Sequence, residues 1–253
     1  MQLISLITDY GNIDYYSAEL KAALYKRCES IQILDISHEL EVHNISLAAY
    51  HLKYMIPSLP KDSINIVAVN NYYERRPKYI VFKYDEKYFI GPDNGVFSLV
   101  FDDLTDVFEI QSLESTKQVK DIYAHAAACI HHQLPFEEFA FPLKEINSKI
   151  TFRPVVTSTQ IKATIIHIDR FENVITNLNK DLFEKSRNGR MFSIYYKPND
   201  PIEILSKHYG DVAIGETLAM FNSANHLEIA INMGKASSIL HLFQNETIQI
   251  DFH

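Results

Sequence analysis

Apolar residues in the first half of the chain occur either as short continuous runs or at helical spacing. The run Gln2–Thr8 is apolar at nearly every position, which is typical of a strand buried on both faces of a sheet. Behind Asn44, a favourable N-cap, apolar residues recur at helical spacing at Ile45, Ala48, Ala49, Leu52 and Met55. The other elements predicted in this half are a helix over 17–27, strands over 30–37 and 63–69, a hairpin of Tyr79–Tyr84 with 88–90, and a helix over 121–133. This alternation predicts an α/β domain with a mostly parallel central sheet.

The pattern changes in the second half. A proline-punctuated connector covers 135–154, and the apolar runs beyond it are short and often alternating. Strands are predicted there at 162–168, 191–196, 218–221, 227–231 and Thr247–Phe252. We therefore expect an N-terminal α/β domain over 1–156 and a smaller β-rich, barrel-like domain over 157–253.

Polar residues follow four of the predicted strands. They are Asp9, the pair Asp35 and His38, the pair Asn70 and Asn71, and the pair Asp93 and Asn94. Turns favour Asp and Asn, so a single occurrence could be chance. Ligands of doubly wound sheets bind beyond the carboxyl ends of the strands, so four occurrences predict a shared binding site.

Composition narrows the classes of function. The 253 residues are 47% hydrophobic and 22% charged with a net charge of -8, which is typical of a globular protein rather than a nucleic-acid-binding one. No basic segment precedes the first apolar run and no run approaches the length of a membrane span, so neither a signal peptide nor a membrane anchor is expected. The two cysteines, Cys28 and Cys129, have no metal-type spacing, and a cytoplasmic location is the simplest expectation.

The motif Thr8-Asp9-Tyr10-Gly11, with Asp14 shortly after it, places two carboxylates in a turn that precedes a helix. Taken alone, this segment is more simply a helix N-cap and a turn. As a binding site, two acids at a helix N-terminus would favour a cationic or hydroxyl-rich ligand over a phosphate. The chain has no glycine-rich dinucleotide-binding or P-loop pattern, which points the same way.

Three other segments allow two interpretations each. The residues His125, His131 and His132 suggest a metal site, but no carboxylate has the ligand spacing, so a helix surface is favoured and no metal is expected. Asp35 and His38 are either an acid–base pair or a structural contact. The segment 168–177 is either a polar β-turn or part of a purine pocket, because its aromatic ring and amides suit stacking and base-edge hydrogen bonds.

Together these blocks resemble one family, the S-adenosylmethionine (SAM) hydroxide adenosyltransferases, which are related to the SAM-dependent fluorinase and chlorinase. Residues 6–14 resemble the family opening L-T-D-F-G-x-x-D, 35–38 its D-I-T-H, 90–98 its G-P-D-N-G-L-L-S, 168–177 its I-D-x-F-G-N-x-x-T-N, and 227–230 its L-E-I-A. Glu172 stands where the family usually has glycine. Each block is weak alone, but five in the right order along nearly the whole chain are a strong signal.

The resemblance implies a homotrimer in which SAM, the substrate, lies between the N-terminal domain of one subunit and the C-terminal domain of the next. It implies no cofactor. The implied substrate contacts are Asp9 with the ribose hydroxyls, Asp14 and Asp169 with the methionine ammonium, Phe171 and Asn173 with adenine, Ser223 with the methionine carboxylate, and Asn94 and Met233 as further substrate-binding positions. Carboxylates suit this ligand because SAM carries a sulfonium and an ammonium.

The family reaction displaces methionine from the ribose C5′ with water and gives adenosine and L-methionine, using an Asp-Arg-His set. Here Asn70 replaces the Asp and Gln118 the His, and an arginine survives as Arg75 or Arg76. The implied catalytic set is therefore Asn70, Arg75 and Gln118. Asn and Gln can orient a water molecule but cannot take its proton, so a slow hydrolase is expected unless Glu74 or His43 replaces the base.

Three hypotheses follow for the function. The first is a SAM hydrolase, or a relative that uses another nucleophile such as halide. The second is a catalytically inactive protein that binds SAM or adenosine. The third, a purely structural oligomer, is disfavoured because the binding blocks around Asp9 and Phe171 are retained.

Overall fold

The chain folds into two compact units. The computed structural model describes residues 1–111, 118–150, 153–197 and 200–253. Unit 1 comprises Met1–Ile150 and unit 2 comprises Thr151–His253. The domain boundary expected after residue 156 stays a prediction.

Unit 1 is built on a seven-stranded sheet with helices on both faces. Its elements are β1 (Gln2–Thr8), α1 (Tyr16–Arg27), β2 (Ile31–Ser37), α2 (Ile45–Met55), β3 (Ile64–Ala68), β4 (Tyr79–Tyr84), β5 (Lys87–Pro92), β6 (Phe108–Ile110), α3 (Val119–His131) and β7 (Ala140–Pro142). The strand order is β2-β1-β3-β5-β4-β6-β7. The first four strands in this order pair in parallel, and β4, β6 and β7 continue the sheet by antiparallel pairing.

Burial of the sheet on both faces explains the continuous apolar run of β1. Ile4 and Leu6 pack in the core that includes α1 and α3, whereas Ile7 packs with Val67 in the core that includes α2. Asn44 caps α2 as expected, because its side chain accepts the N–H of Leu47. The four parallel strands all end at one edge of the sheet, and this places the residues that follow them on the same side of unit 1.

Unit 2 is an antiparallel, nearly closed barrel. Its elements are β8 (Val155–Val156), β9 (Gln160–Ile168), β10 (Val174–Asn179), α4 (Lys180–Arg187), β11 (Phe192–Tyr195), β12 (Pro201–Ile202), β13 (Thr217–Phe221), β14 (His226–Ile231), α5 (Ala236–Leu240) and β15 (Thr247–Phe252). The strand order is β12-β11-β15-β9-β10-β14-β13, with β8 added beside β9. A bridge between Leu205 and Ala219 brings the two ends of this order together. The predicted fold class, α/β followed by a β-rich domain, is confirmed.

Candidate functional site

Asp9 lies directly after β1 and ties three parts of unit 1 together. Its Oδ2 atom accepts the backbone N–H of Asn70, which lies beyond β3, at 3.0 Å. The same oxygen accepts the backbone N–H of His43, in the loop before α2, at 3.0 Å. The Asp9 side chain is only 7% exposed. In the described part of the chain the hydrogen bonds to this carboxylate all go to Oδ2, so Oδ1 remains available to a ligand.

The loop beyond β3 is held from below by Asn94. The side-chain amide of Asn94 donates to the carbonyl oxygens of Val69 and Asn70, at 2.9 and 3.2 Å, and its Oδ1 accepts the N–H of Val96 at 3.1 Å. Asn70 itself has a φ of 51°, in the left-handed region that asparagine tolerates better than most residues. Asn94 therefore shapes the loop that carries Asn70, and a direct contact between Asn94 and a substrate stays a prediction.

A buried cluster of tyrosines surrounds Asn71, immediately behind the Asn70 loop. The Asn71 amide donates to the hydroxyl of Tyr10 at 3.0 Å, and its Oδ1 accepts the hydroxyl of Tyr123. The hydroxyl of Tyr79 donates to the Asn71 carbonyl at 3.2 Å. Burial raises the pKa of Tyr10, and the charge of Asp9 raises it further, so the phenol stays neutral. No role is predicted for this cluster from the sequence, although Tyr10 carries a hydroxyl where the family motif has phenylalanine.

The other residues predicted for unit 1 occupy exposed positions. Asp14 lies in the turn before α1, Arg75 and Arg76 lie between β3 and β4, and Gln118 is the residue that precedes α3. Within the described ranges we find no hydrogen bond or ion pair between any of them and Asp9 or Asn70. Unit 1 thus brings together Asp9, Asn70 and Asn94 from the predicted set, while catalytic roles for Arg75 and Gln118 stay predictions.

Asp35 and His38 form part of the framework beside the Asp9 loop. His38 is buried, with Nδ1 2.8 Å from the Thr8 hydroxyl and Nε2 3.0 Å from Asp35 Oδ1, the latter too bent for a hydrogen bond. Lys21 pairs with the other oxygen of Asp35 at 2.6 Å. Burial acts to raise the pKa of Asp35, but the contacts with Lys21 and His38 outweigh it and lower the pKa below its ordinary value. This arrangement favours a structural role for the pair.

In unit 2, Asp169 shapes the turn between β9 and β10. Its Oδ1 accepts the backbone N–H groups of Phe171 and Asn173, at 2.9 and 2.8 Å, and its Oδ2 accepts the Asn173 amide at 3.1 Å. The turn leaves the Phe171 side chain 73% exposed and Asn173 buried. An exposed aromatic ring beside a fixed amide is the arrangement expected for binding a planar base.

Glu172 adopts a φ of 63°, which explains why glycine is usual at this position of the family motif. Its carboxylate binds Lys235 at 2.7 Å and accepts both the N–H and the hydroxyl of Ser238, on α5. Its carbonyl accepts the N–H of Ser237 at 2.9 Å. Glu172 thus fastens the turn to α5 and to the segment that carries the exposed residue Met233.

Two further positions complete the predicted set in unit 2. Ser223 is exposed in the turn between β13 and β14, where Asn222 Oδ1 accepts the N–H groups of Ala224 and His226. Nearby on β14, Glu228 is buried and accepts the Tyr209 hydroxyl at 2.7 Å. Burial raises the pKa of Glu228. Glu228 belongs to the block that resembles the family motif L-E-I-A, and no role is predicted for it from the sequence.

The histidines and the helices of the described residues bear on two other kinds of function, metal binding and membrane insertion. Across 1–111, 118–150, 153–197 and 200–253, no group of three or more His, Cys, Asp or Glu residues could hold a metal ion. His131 instead contacts Gln2 at 2.9 Å, and the His125 ring lies 3.8 Å from Cys129 Sγ. None of the helices among the described residues has the length and apolar character needed to span a membrane.

Comparison with known proteins identifies the family. The sequence model for the SAM hydroxide adenosyltransferase N-terminal domain matches residues 4–140, and the one for the C-terminal domain matches residues 163–249. A relative from Methanocaldococcus jannaschii named (R)-S-adenosyl-L-methionine hydrolase is 30% identical over 99% of this chain and 96% of its own. A protein of the same name from Thermus thermophilus is 26% identical over 99% of this chain and 100% of its own. A crystal structure of an uncharacterized conserved protein from Thermotoga maritima superposes with a TM-score of 0.86 at 28% identity, covering 98% of this chain and 99% of that one. The chain therefore belongs to the SAM hydroxide adenosyltransferase family.

Proposed function

We propose that the protein hydrolyses SAM at the ribose C5′ and releases adenosine and L-methionine. The observation that carries this proposal is the Asp9 carboxylate, which two backbone N–H groups fix at the carboxyl ends of the parallel strands with one oxygen available. A carboxylate oxygen accepts hydrogen bonds from vicinal hydroxyls, and Asp9 would bind the ribose in this way. The names of the two hydrolases similar to this chain support the same substrate and reaction.

The remaining binding roles follow from charge and shape. Asp14 and Asp169 would face the methionine ammonium, and Ser223 would bind the methionine carboxylate. Phe171 would stack on the adenine. The side-chain amide nitrogen of Asn173 donates to Asp169 Oδ2, and its Oδ1 would accept a hydrogen bond from the adenine amino group. The substrate contacts of Asn94 and Met233 are proposed on the family resemblance alone.

The chemistry asks little of the protein beyond positioning. The sulfonium leaves as a neutral thioether, so the chain has to hold a water molecule in line with the C5′–S bond and accept its proton. Asn70, Arg75 and Gln118 form the proposed set around that water. Neither Asn70 nor Gln118 accepts a proton near neutral pH, so turnover without another base would be slower by about 10²–10⁴.

The absence of a cofactor, the oligomeric state and the cellular location are proposals as well. SAM acts as substrate, with no additional cofactor. The protein is a homotrimer whose sites are each completed by a neighbouring subunit, and it works in the cytoplasm. Native mass spectrometry of the purified chain tests the trimer directly, since a monomer at micromolar concentration contradicts it.

The activity is tested by long incubation of the protein with SAM, followed by mass spectrometry of the products. Adenosine and methionine should appear in equal amounts above a heat-treated control, and Asp9→Asn should lower their formation. Chloride and fluoride are included in parallel, because 5′-halogenated adenosine would reveal a different nucleophile. No nucleoside product under any condition would refute the hydrolase.

The absence of a proton acceptor at Asn70 and Gln118 favours one alternative, a protein that binds SAM without turnover. Isothermal titration calorimetry separates the two functions. Binding without any product supports the alternative, and absence of binding refutes both.

A further inference from the structure

We propose that His43 is the residue that takes the proton from the attacking water, in place of the family Asp and His. This inference rests on the proposed hydrolysis of SAM. The imidazole of His43 lies beside Asp9, in the same part of unit 1 as Asn70.

His43 contacts Asp9 in two ways. Its backbone N–H donates to Asp9 Oδ2 at 3.0 Å, and its ring Nδ1 lies 3.9 Å from the same oxygen. The ring is 72% exposed, whereas the Asp9 side chain is 7% exposed. The imidazole is therefore accessible to a ligand, whereas most of the neighbouring carboxylate is covered by protein.

The loop before α2 holds His43 in this position. His43 has a φ of 66°, a left-handed conformation that costs a residue with a Cβ about 1–2 kcal/mol. Its carbonyl accepts the N–H of Ile45 at 3.0 Å, and the next residue, Asn44, donates its own N–H to the Glu41 carbonyl at 3.1 Å. Such a conformation persists only where its surroundings enforce it, and it often marks a functional position.

Asn70 shares the carboxylate oxygen that His43 contacts. Both backbone N–H groups donate to Asp9 Oδ2, so the two residues approach one atom from different loops. If Asp9 binds the ribose, we expect a water molecule oriented by Asn70 to lie near the His43 ring. This gives an orienting amide and a proton acceptor around the same sugar.

The charges around the ring suit this role. The His43 ring faces the Asp9 carboxylate, with Nδ1 3.9 Å from Oδ2. Glu41, in the same loop, is turned to Asn44, whose side-chain amide donates to it at 2.8 Å. Glu74, the other candidate base, interacts with the Tyr73 hydroxyl, whereas the His43 ring faces Asp9. The structure thus favours His43 over Glu74.

The step balances without any further reactant. The water oxygen forms a bond to C5′ while the C5′–S bond breaks, and the bonding pair leaves with sulfur to give methionine. The proton that the water loses passes to the neutral imidazole of His43. The imidazolium then releases this proton to solvent, which restores the starting state.

Two substitutions test the role and suit the left-handed backbone. His43→Asn keeps a polar side chain without a proton acceptor, and His43→Gly leaves room for added imidazole. His132→Asn, at an exposed position beyond α3, is the matched control. Adenosine formation is measured from pH 5 to pH 9, with kcat and KM determined separately and folding checked by thermal melting.

We expect wild type to lose kcat towards acid pH, because a protonated imidazole cannot act as a base. His43→Asn should lower kcat by about 10²-fold or more with little change in KM, and should flatten the acid limb. His132→Asn should match wild type. Imidazole in the buffer should raise the rate of His43→Gly while the product remains adenosine rather than an imidazole adduct.

The outcomes separate the two proposals. If wild type forms adenosine and His43→Asn does so with the same kcat and pH profile, the role of His43 is wrong and the hydrolase stands. Loss of rate in both variants without rescue by imidazole makes His43 a structural residue and also contradicts the proposal. If wild type forms no adenosine at any pH, both the proposed hydrolysis and the proposed role of His43 are refuted.

Discussion

Replacing Asn71 with alanine removes the group that joins the buried tyrosines of unit 1. In wild type its side chain accepts from Tyr123 and donates to Tyr10. Tyr123 has no exposed surface, so bulk solvent does not reach its hydroxyl. A buried hydroxyl left unpaired costs about 1–3 kcal/mol, so we expect Asn71→Ala to lower the free energy of unfolding by about 1–3 kcal/mol through Tyr123, with a smaller loss through the partly buried Tyr10.

A double-mutant cycle measures how much of this loss comes from the hydrogen bond between Asn71 and Tyr123. Tyr123→Phe alone leaves Asn71 Oδ1 without its donor, whereas Asn71→Ala combined with Tyr123→Phe removes both partners of the bond. The double variant should be more stable than the sum of the single effects predicts, by about 1–3 kcal/mol. Tyr25→Phe, at an exposed position on α1, is the matched control and should change stability by less than about 0.5 kcal/mol.

The assay is urea denaturation followed by circular dichroism and tyrosine fluorescence. The chain has no tryptophan and 15 tyrosines, so its fluorescence reports on many positions at once and does not locate a change. Hydrogen-exchange mass spectrometry of peptides from unit 1 and unit 2 shows where protection is lost. Asn71→Ala should weaken protection in unit 1 alone. Additive effects of Asn71→Ala and Tyr123→Phe would refute the network, and so would a loss below about 1 kcal/mol for Asn71→Ala.

Two further predictions concern unit 2. Lys235→Met removes the ion pair with Glu172 and leaves only the hydrogen bonds from Ser238 to hold that carboxylate, so the turn that carries Phe171 should loosen in part; steady-state kinetics should show a modestly higher KM for SAM with kcat unchanged, and an unchanged KM contradicts this. Glu228 titrates above its ordinary pKa in the folded state because it is buried, so its ionisation opposes folding, and this cost grows as pH rises from the unfolded pKa through the folded one. Glu228→Gln should therefore improve stability relative to wild type more at pH 7 than at pH 4 in thermal melts at both pH values, and an equal difference at the two would contradict this cause.

Local patterns were enough to predict most of the framework. Five apolar residues at helical spacing and the capping residue Asn44 define α2, and the apolar run of β1 reflects burial on both faces. Both signals depend on neighbours along the chain. The same holds for the prediction that polar residues converge at the strand ends, since parallel strands must end at one edge.

Elements with weaker local signals were missed. The helix α4 has only eight residues and begins at Lys180, behind the capping residue Asn179. The strand β7 has three residues and lies inside a segment that was expected to be a connector. Short elements of this kind are stabilised by the sheet or core they join, and their own sequence carries little periodicity.

The arrangement around Asn71 could not be predicted from the chain alone. Tyr10, Tyr79 and Tyr123 are far apart in sequence and meet only because β1, β4 and α3 pack together. The contact of His43 with Asp9 is of the same kind, since a loop residue's distance to a carboxylate 34 positions away depends on the whole of unit 1. The sequence indicates His43 and Asp9 as candidate site residues, but their contact becomes visible only in the folded structure.

The way Asp9 is held has a consequence for how this site can evolve. Its partners at positions 43 and 70 are main-chain N–H groups, which every residue except proline provides. The side chains at those two positions can therefore change, among residues that tolerate a positive φ, without disturbing the carboxylate between them. A lineage could exchange the family aspartate for Asn70, or place a histidine at 43, while Asp9, the proposed ribose ligand, stayed as it was. Under that proposal, the carboxylate that would bind the nucleoside is held independently of the side chains that would act on the nucleophile, so new chemistry can arise on an existing binding site.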